Sequence, residues 1–347
     1  MDRIGVGFWG GMSVNELIDY VSLADQKGYE SAYLIESFAD VFGVLSACAR
    51  ETSNIILATG VATVFTRNPT TIATAAATVD TLSAGRFRLG LGIGHSEIHQ
   101  ARDNLEPGRP FPFDRPLRRL RETTDVVRTI LKCAAEGRLV NYSGQIFRIT
   151  DYEPWLHPYR DTLPCYFGAL SEKTLALAGE TADGVLPIFV PLDSVAEVVS
   201  AVRRGARRVG RDPSAIDIGC YLPCCVSPDP TAAKRAMQYV TAIHITAYGL
   251  YAQYFERHGH AETVARMRTC AARGDMDGAA ALVTDEMVDA FAVYGSAEQC
   301  AQKIARYREA GVTLPIVYPI HPTFTNYLPD VAARDGIRYT LEALAPG

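Results

Sequence analysis

Two side chains of this chain, Glu36 and His95, are suited to hold a proton near neutral pH and deliver it to a bound molecule. Histidine has the unperturbed pKa nearest neutrality, and desolvation at an apolar strand end can raise that of a glutamate. Each follows an apolar run: Ala32-Tyr33-Leu34-Ile35 precedes Glu36, and Leu89-Gly90-Leu91-Gly92-Ile93-Gly94 precedes His95. Either could act as a general acid within hydrogen-bond reach of a reacting atom. Glycines recur just past the apolar runs, at Gly10, Gly11, Gly60, Gly92, Gly94 and Gly168. A missing Cβ lets a flat ligand approach the backbone closely, so the pattern points to a large planar ligand.

Gly168-Ala169-Leu170-Ser171, followed by Glu172-Lys173-Thr174, reads as a strand turning into a helix. The first N–H groups of such a helix and its positive dipole end suit a phosphate, with Ser171 as a plain N-cap the alternative. The GxGxG spacing of Gly90, Gly92 and Gly94 lacks the third glycine and the acidic residue of a dinucleotide fingerprint, which excludes that site. Trp9 and Met12, after the first apolar run, are candidates for a substrate wall, with rim packing as the alternative. His99, His157, His244, His258, His260 and His321 read as structural or solvated, and no grouping has metal-ligand spacing, so no metal is expected. Tyr239, Tyr248, Tyr251, Tyr254 and Phe255 fall several to a helix face and read as core or lid packing, or as the wall of an apolar pocket.

The elements that must position these residues alternate between strand-like and helix-like runs. Strands are expected at 4–8, 31–35, 55–59, 87–92, 164–168, 184–188, 216–226 and 314–320, several of them continuously apolar, as in strands covered on both faces. Helix starts fall between them: capping boxes at Ser13/Glu16 and Ser296/Gln299, Asn68 with Pro69, and an amphipathic segment over 115–136 carrying Leu117, Leu120, Thr124, Val127 and Leu131. Eight βα units predict an α/β fold, a (β/α)8 TIM barrel. We expect one domain over 1–347, with a hairpin near 139–150 and a helical insertion between strands 7 and 8 at about 231–286. In such a barrel the chemistry sits at the C-terminal ends of the strands, where Glu36, His95 and the glycines fall.

Composition narrows the class. With 34 Lys plus Arg against 39 Asp plus Glu, the formal charge of -5 offers no positive field for nucleic acid or an anionic membrane surface. The eight cysteines show no CxxC pair and read as reduced thiols. The first apolar stretch, 4–8, is too short for a signal segment or a membrane span, so a cytoplasmic location is expected.

The ordered set Ala32-Tyr33-Leu34-Ile35-Glu36-Ser37, Leu57-Ala58-Thr59-Gly60-Val61 with Arg67-Asn68-Pro69, Thr81-Leu82-Ser83-Ala84-Gly85-Arg86-Phe87-Arg88-Leu89-Gly90-Leu91-Gly92-Ile93-Gly94, and Arg118-Arg119-Leu120-Arg121-Glu122 resembles the luciferase-like monooxygenase family. Leu177-Ala178-Gly179-Glu180-Thr181-Ala182-Asp183-Gly184, Val293-Tyr294-Gly295-Ser296 and Ala310-Gly311-Val312 extend the resemblance over about the whole chain, particularly to the branch that uses the deazaflavin coenzyme F420. The resemblance implies a non-proline cis peptide at Gly60-Val61 against the cofactor ring, ring contacts from Thr63 and Gly94, and cofactor phosphate on Gly168, Ala169, Leu170 and Ser171. It also implies a homodimer. Many deazaflavin enzymes of this family carry an acid followed by histidine after strand 2, whereas this chain has Glu36-Ser37; its loop after strand 4 reads His95-Ser96-Glu97-Ile98-His99.

The expected function is therefore an F420-dependent oxidoreductase that moves a hydride to or from a small-molecule or peptide substrate, for instance reducing C=C or C=N. Glu36 and His95 are its catalytic candidates, and His95 is also a candidate ligand of the cofactor. Two alternatives stand beside it: an FMN-dependent monooxygenase fed by a partner reductase, and a non-catalytic flavin-binding barrel.

Overall fold

The computed structural model describes residues 3–9, 11–36, 39–95, 98–103, 111–327 and 333–346. The short apolar runs become strands because both their faces are covered: every residue of β1 (Gly5–Phe8), β2 (Ser31–Leu34) and β5 (Phe87–Gly92) is buried. With β3 (Ile56–Thr59), β8 (Cys165–Phe167), β9 (Gly184–Val185), β10 (Asp217–Val226) and β12 (Leu314–Pro319), they form eight parallel strands. The order β1-β2-β3-β5-β8-β9-β10-β12 returns to β1 and closes the barrel. These are the eight strands expected, in the expected order. Three shorter pieces sit at the margins: β4 (Ala62–Thr63) on the end of β5, β11 (Val293–Gly295) on the end of β10, and the antiparallel hairpin of β6 (Val140–Ser143) and β7 (Arg148–Tyr152).

The helix signals act as local chemistry predicts. Ser13 and Glu16 close a capping box on the helix Val14–Gln26, Asn68 accepts from the Thr70 amide at the start of the helix Pro69–Leu82, and Ser296 with Gln299 closes a second box ahead of Ala297–Glu309. The helix Pro116–Ala135 buries Leu120, Val127 and Leu131 and turns Glu122 towards the hairpin. Glu122 accepts the backbone N–H groups of Gln145, Ile146 and Phe147 at 2.9–3.1 Å. Burial opposes its charge, but these three bonds outweigh that cost and hold its carboxyl below the usual range.

Between β10 and β11 the chain forms five helices, Pro230–Ala247, Gly249–Phe255, Ala261–Ala272, Met276–Ala281 and Asp285–Asp289. Their apolar faces share one buried cluster with the barrel interior, in which Met237, Val240, Tyr251 and Phe255 join Tyr33, Tyr166, Tyr221 and Ile316. No helix among the described residues is long and apolar enough to cross a membrane.

The N-terminal end of the barrel is filled with charge. Arg3 bridges Glu30 and Asp217, and Asp217 also accepts the Tyr166 hydroxyl at 2.8 Å and the Thr313 hydroxyl. Arg88, 7% exposed, donates to the Tyr33 hydroxyl at 2.6 Å, reaches Glu30 at 3.4 Å and lies over the Tyr166 ring. Such charges are tolerated at this depth because each is paired and hydrogen-bonded.

Candidate active site

At the opposite end, a cavity of about 530 Å³ opens where the strands stop. Its wall is drawn from Glu36 after β2, Gly60, Val61 and Thr63 after β3, Gly92 to His95 at and after β5, Gly168 to Ser171 after β8, and Tyr248 to Tyr251 from the insertion. Ten of the twelve expected site residues therefore meet in one cavity: Glu36, Gly60, Val61, Thr63, Gly94, His95, Gly168, Ala169, Leu170 and Ser171. Trp9 and Met12 do not line it. Trp9 donates its indole N–H to the Pro319 carbonyl at 3.2 Å and packs edge-on against Phe324 and Tyr327, so its ring completes the apolar rim. Met12 is half-buried between the two apolar clusters.

Glu36 is fully engaged by the protein. One oxygen accepts from the Arg67 guanidinium, and the other accepts from the Thr63 backbone N–H at 2.8 Å. Arg67 reaches on to Asp40 at 2.7 Å. Arg67 lies 31 positions from Glu36 and meets it only through the pairing of β2 with β3, which no local sequence pattern signals.

The His95 ring packs on Tyr248 with centroids 4.7 Å apart, so the loop after β5 touches the first residue beyond the helix Pro230–Ala247 across the cavity. His99, read as structural or solvated, is buried and also lines the cavity. Its Nδ1 is 2.7 Å from Asp103 and its Nε2 3.1 Å from the Ile93 carbonyl, while its ring stacks on Phe111. Ser96, Glu97, Ser37 and Phe38 lie outside the described residues.

The glycines correct the simplest expectation. A Cβ on Gly60 would fall 2.1 Å from the Tyr221 hydroxyl; on Gly92, 2.5 Å from a Val61 methyl; on Gly94, 2.4 Å from His99 Nε2; on Gly168, 3.2 Å from Val61. The space they leave is taken by the protein's own side chains, not held open for a ligand. What results is a floor of backbone at Gly60-Val61, Gly92 to Gly94 and Gly168-Ala169, against which a planar group can lie. The Gly60–Val61 peptide bond is cis, and its Gly60 amide donates to Leu34 at 2.7 Å.

At the far side the helix Glu172–Thr181 begins. The Ser171 hydroxyl accepts the Thr174 amide, and the Ser171 carbonyl accepts that of Leu175. Helix geometry leaves the Glu172 and Lys173 amides without an intrahelical acceptor, and Arg204 pulls the Glu172 carboxylate aside at 2.8 Å. An anion placed here would meet amides and the positive end of the helix dipole; among the described residues no Lys or Arg lines the cavity.

The insertion supplies the roof. Tyr251 donates to the Ile188 carbonyl at 3.0 Å, and Tyr248, Leu250 and Gln253 complete the wall. Behind them His244 donates from Nδ1 to the Val240 carbonyl at 2.7 Å amid Phe189, Tyr251 and Tyr327. Burial, reinforced by nearby His95, drives its pKa down to about 4, so it is a neutral packing group at pH 7. Of the insertion's tyrosines, Tyr248 and Tyr251 face the cavity, a distinction that helical periodicity alone does not make.

Residues 4–314 match the family model of the luciferase-like monooxygenases. A 5,10-methylenetetrahydromethanopterin reductase of Archaeoglobus fulgidus is 28% identical over 328 residues, 92% of this chain and 94% of that protein. Among solved structures, the coenzyme F420-dependent tetrahydromethanopterin reductase of Methanopyrus kandleri superposes with a TM-score of 0.85 at 24% identity, covering 99% of this chain and 97% of that one. An F420-dependent secondary alcohol dehydrogenase in complex with an F420-acetone adduct gives 0.75 at 19% identity, with 99% of each chain covered. The two superpositions show a shared fold.

Proposed function

The chain belongs to the luciferase-like monooxygenase family, and within it we propose that it is an F420-dependent oxidoreductase that reduces a planar organic substrate at an activated C=C or C=N bond. The observation that carries this reading is the backbone floor beside a helix N-terminus in one cavity, together with relatives named for F420-dependent or pterin-reducing activity. When bound, the deazaflavin supplies or accepts a hydride.

The protein's own groups divide the remaining work. Gly60-Val61 and Gly92 to Gly94 would support the ring, while the amides after Gly168 and at the start of Glu172–Thr181 would hold the phosphate. Tyr248, Tyr251, Leu170 and Ile188 would exclude water and receive the substrate. The aromatic faces of Tyr248 and Tyr251 in the wall favour a flat substrate. His95 would hold the proton delivered to a substrate atom that gains charge. Glu36, with both oxygens engaged by Arg67 and Thr63, would anchor the loop after β3.

Titration of the purified protein with F420 and with FMN, each oxidised and reduced, tests the reading through cofactor and tryptophan fluorescence. Tight binding of F420 with weak binding of FMN is the expected result. The reverse preference, with oxygen consumed on adding substrate, would replace it with a monooxygenase fed by a reductase, and binding of either without any turnover would leave a non-catalytic barrel.

A further inference from the structure

Tyr221 places a phenol hydroxyl in the cavity floor that neither hydride transfer nor proton delivery uses. It stands in mid-β10, 3% exposed, and its ring crosses the barrel interior through a slot left by Gly7 of β1 and by Gly60, just past β3. A Cβ on Gly7 of β1 would lie 2.6 Å from its Cε1, and one on Gly60 would lie 2.1 Å from its hydroxyl. Tyr33 and Tyr318 meet the ring edge-on at 5.9 and 6.2 Å, which fixes its plane. The hydroxyl then donates to the Gly60 carbonyl at 3.3 Å. Burial, with a smaller contribution from Tyr33, pushes the phenol well above its ordinary range, so it remains a donor throughout the working pH.

The Gly60 carbonyl belongs to the segment that forms the floor. The next residue, Val61, wedges its methyl groups against Gly92 and Gly168, so a shift at Gly60 is passed to all three backbone stretches on which a planar ring would lie. We propose that Tyr221 is a positioning residue for the cofactor: its hydroxyl holds the Gly60 carbonyl, and through Val61 sets the height and tilt of the floor under the ring. This rests on the reading that a planar tricyclic cofactor occupies the cavity. Purely architectural packing would need the ring of Tyr221 and not its oxygen.

The experiment compares wild type, Tyr221→Phe and Gly7→Ala by titration with oxidised F420 and, in parallel, FMN, recording the dissociation constant, the visible absorption band of the bound cofactor and the unfolding midpoint. Tyr221→Phe keeps the packed ring and loses one hydrogen bond, so we expect a midpoint lowered by no more than about 2 °C, roughly 2- to 10-fold weaker binding of the preferred cofactor and a displaced absorption band. Gly7→Ala, outside the cavity lining, presses on the tyrosine ring from behind and should move the band in the same way. A Tyr221→Phe protein with wild-type affinity and spectrum overturns the proposal, and does so most sharply if Gly7→Ala is altered, because then the ring matters and the hydroxyl does not. Failure of wild type to bind either cofactor removes the reading of the site, and the proposal with it.

Discussion

The two ends of the barrel solve the problem of a crowded interior by opposite means. At the N-terminal end, Arg3, Glu30, Arg88 and Asp217 are packed with Tyr33, Tyr166 and Thr313 so that every charge has a partner. At the C-terminal end the interior side chains shrink to glycine and the space is filled by Tyr221, Val61 and His99 reaching in from elsewhere. The first end fixes strand positions through directional bonds, and the second leaves a smooth backbone surface under a cavity. The difference teaches where each kind of mutation should register: loss of stability at one end, loss of ligand or turnover at the other.

The largest expected effect breaks that division if it fails. His95→Ala removes the proposed proton holder and should lower turnover of a conjugated C=C or C=O acceptor by about 10²–10⁴-fold, followed as consumption of reduced F420. Affinity for F420 should change far less. A cationic C=N acceptor becomes neutral on receiving hydride and needs no proton, so with that class the variant should keep most of its rate. Unchanged turnover with both classes would remove His95 as the acid.

Arg88→Leu is the counterpart at the other end. It leaves the Tyr33 hydroxyl without its donor and Glu30 with Arg3 alone, at an expected cost of roughly 3 kcal/mol in denaturant unfolding, with cofactor affinity preserved in the folded fraction. A variant as stable as wild type would show that the buried network is dispensable. A variant of normal stability and poor cofactor binding would show the two ends to be coupled.

The sequence was most legible where the signal is local or periodic. Eight apolar runs, Ser13/Glu16, Asn68-Pro69 and Ser296/Gln299 each act over a few residues, and they specify the strands and helix starts of the barrel. The strand-end rule then gathers ten of the twelve candidate residues into one cavity. What it could not supply are pairings made by closure of the barrel: Arg67 with Glu36, or Tyr221 lying between Gly7 and Gly60. Gly7 and Gly60 are 53 positions apart and Tyr221 a further 161, and no periodicity links them. Trp9 follows the first strand as a substrate-wall residue would, but its indole is turned to the Pro319 carbonyl by the packing of Phe324 and Tyr327.

Acid should separate the two ends without any mutation. His244, among Phe189, Tyr248, Tyr251 and Tyr327 near His95, has a folded pKa of about 4, below the ordinary histidine value of about 6.5. The unfolded chain therefore binds more protons between those values, and stability falls as pH falls through that window, by roughly 2 kcal/mol between pH 7 and pH 5. Asp217 behaves otherwise: burial opposes its charge, but Arg3, Thr313 and Tyr166 outweigh it and depress its pKa. Its contribution is present above the ordinary aspartate range and is lost only as pH falls through the depressed value. Unfolding midpoints should therefore drop between pH 7 and 5 in wild type, and His244→Gln should flatten that slope. An equal slope in the variant would move the acid sensitivity away from the insertion.

Glu36→Gln carries the smallest expected effect and bears most directly on the division between the ends, because Glu36 is an ion-paired carboxylate on the cavity side. Glutamine keeps an oxygen for the Thr63 amide and surrenders the charge opposite Arg67, which retains Asp40, so the cost in stability should be about 1 kcal/mol. Glu36→Ala also strands the Thr63 N–H and should cost more. If Glu36 is an anchor, the glutamine variant keeps most of its turnover and cofactor affinity, and the alanine variant loses affinity as the loop after β3 loosens. If Glu36 supplies the proton, the two variants lose turnover alike, since neither can ionise, and affinity is spared in the glutamine protein. The ratio of the two turnover numbers, measured beside His95→Ala, therefore decides whether the charged device at this end serves the chemistry or, like its counterparts around Arg88, serves the scaffold.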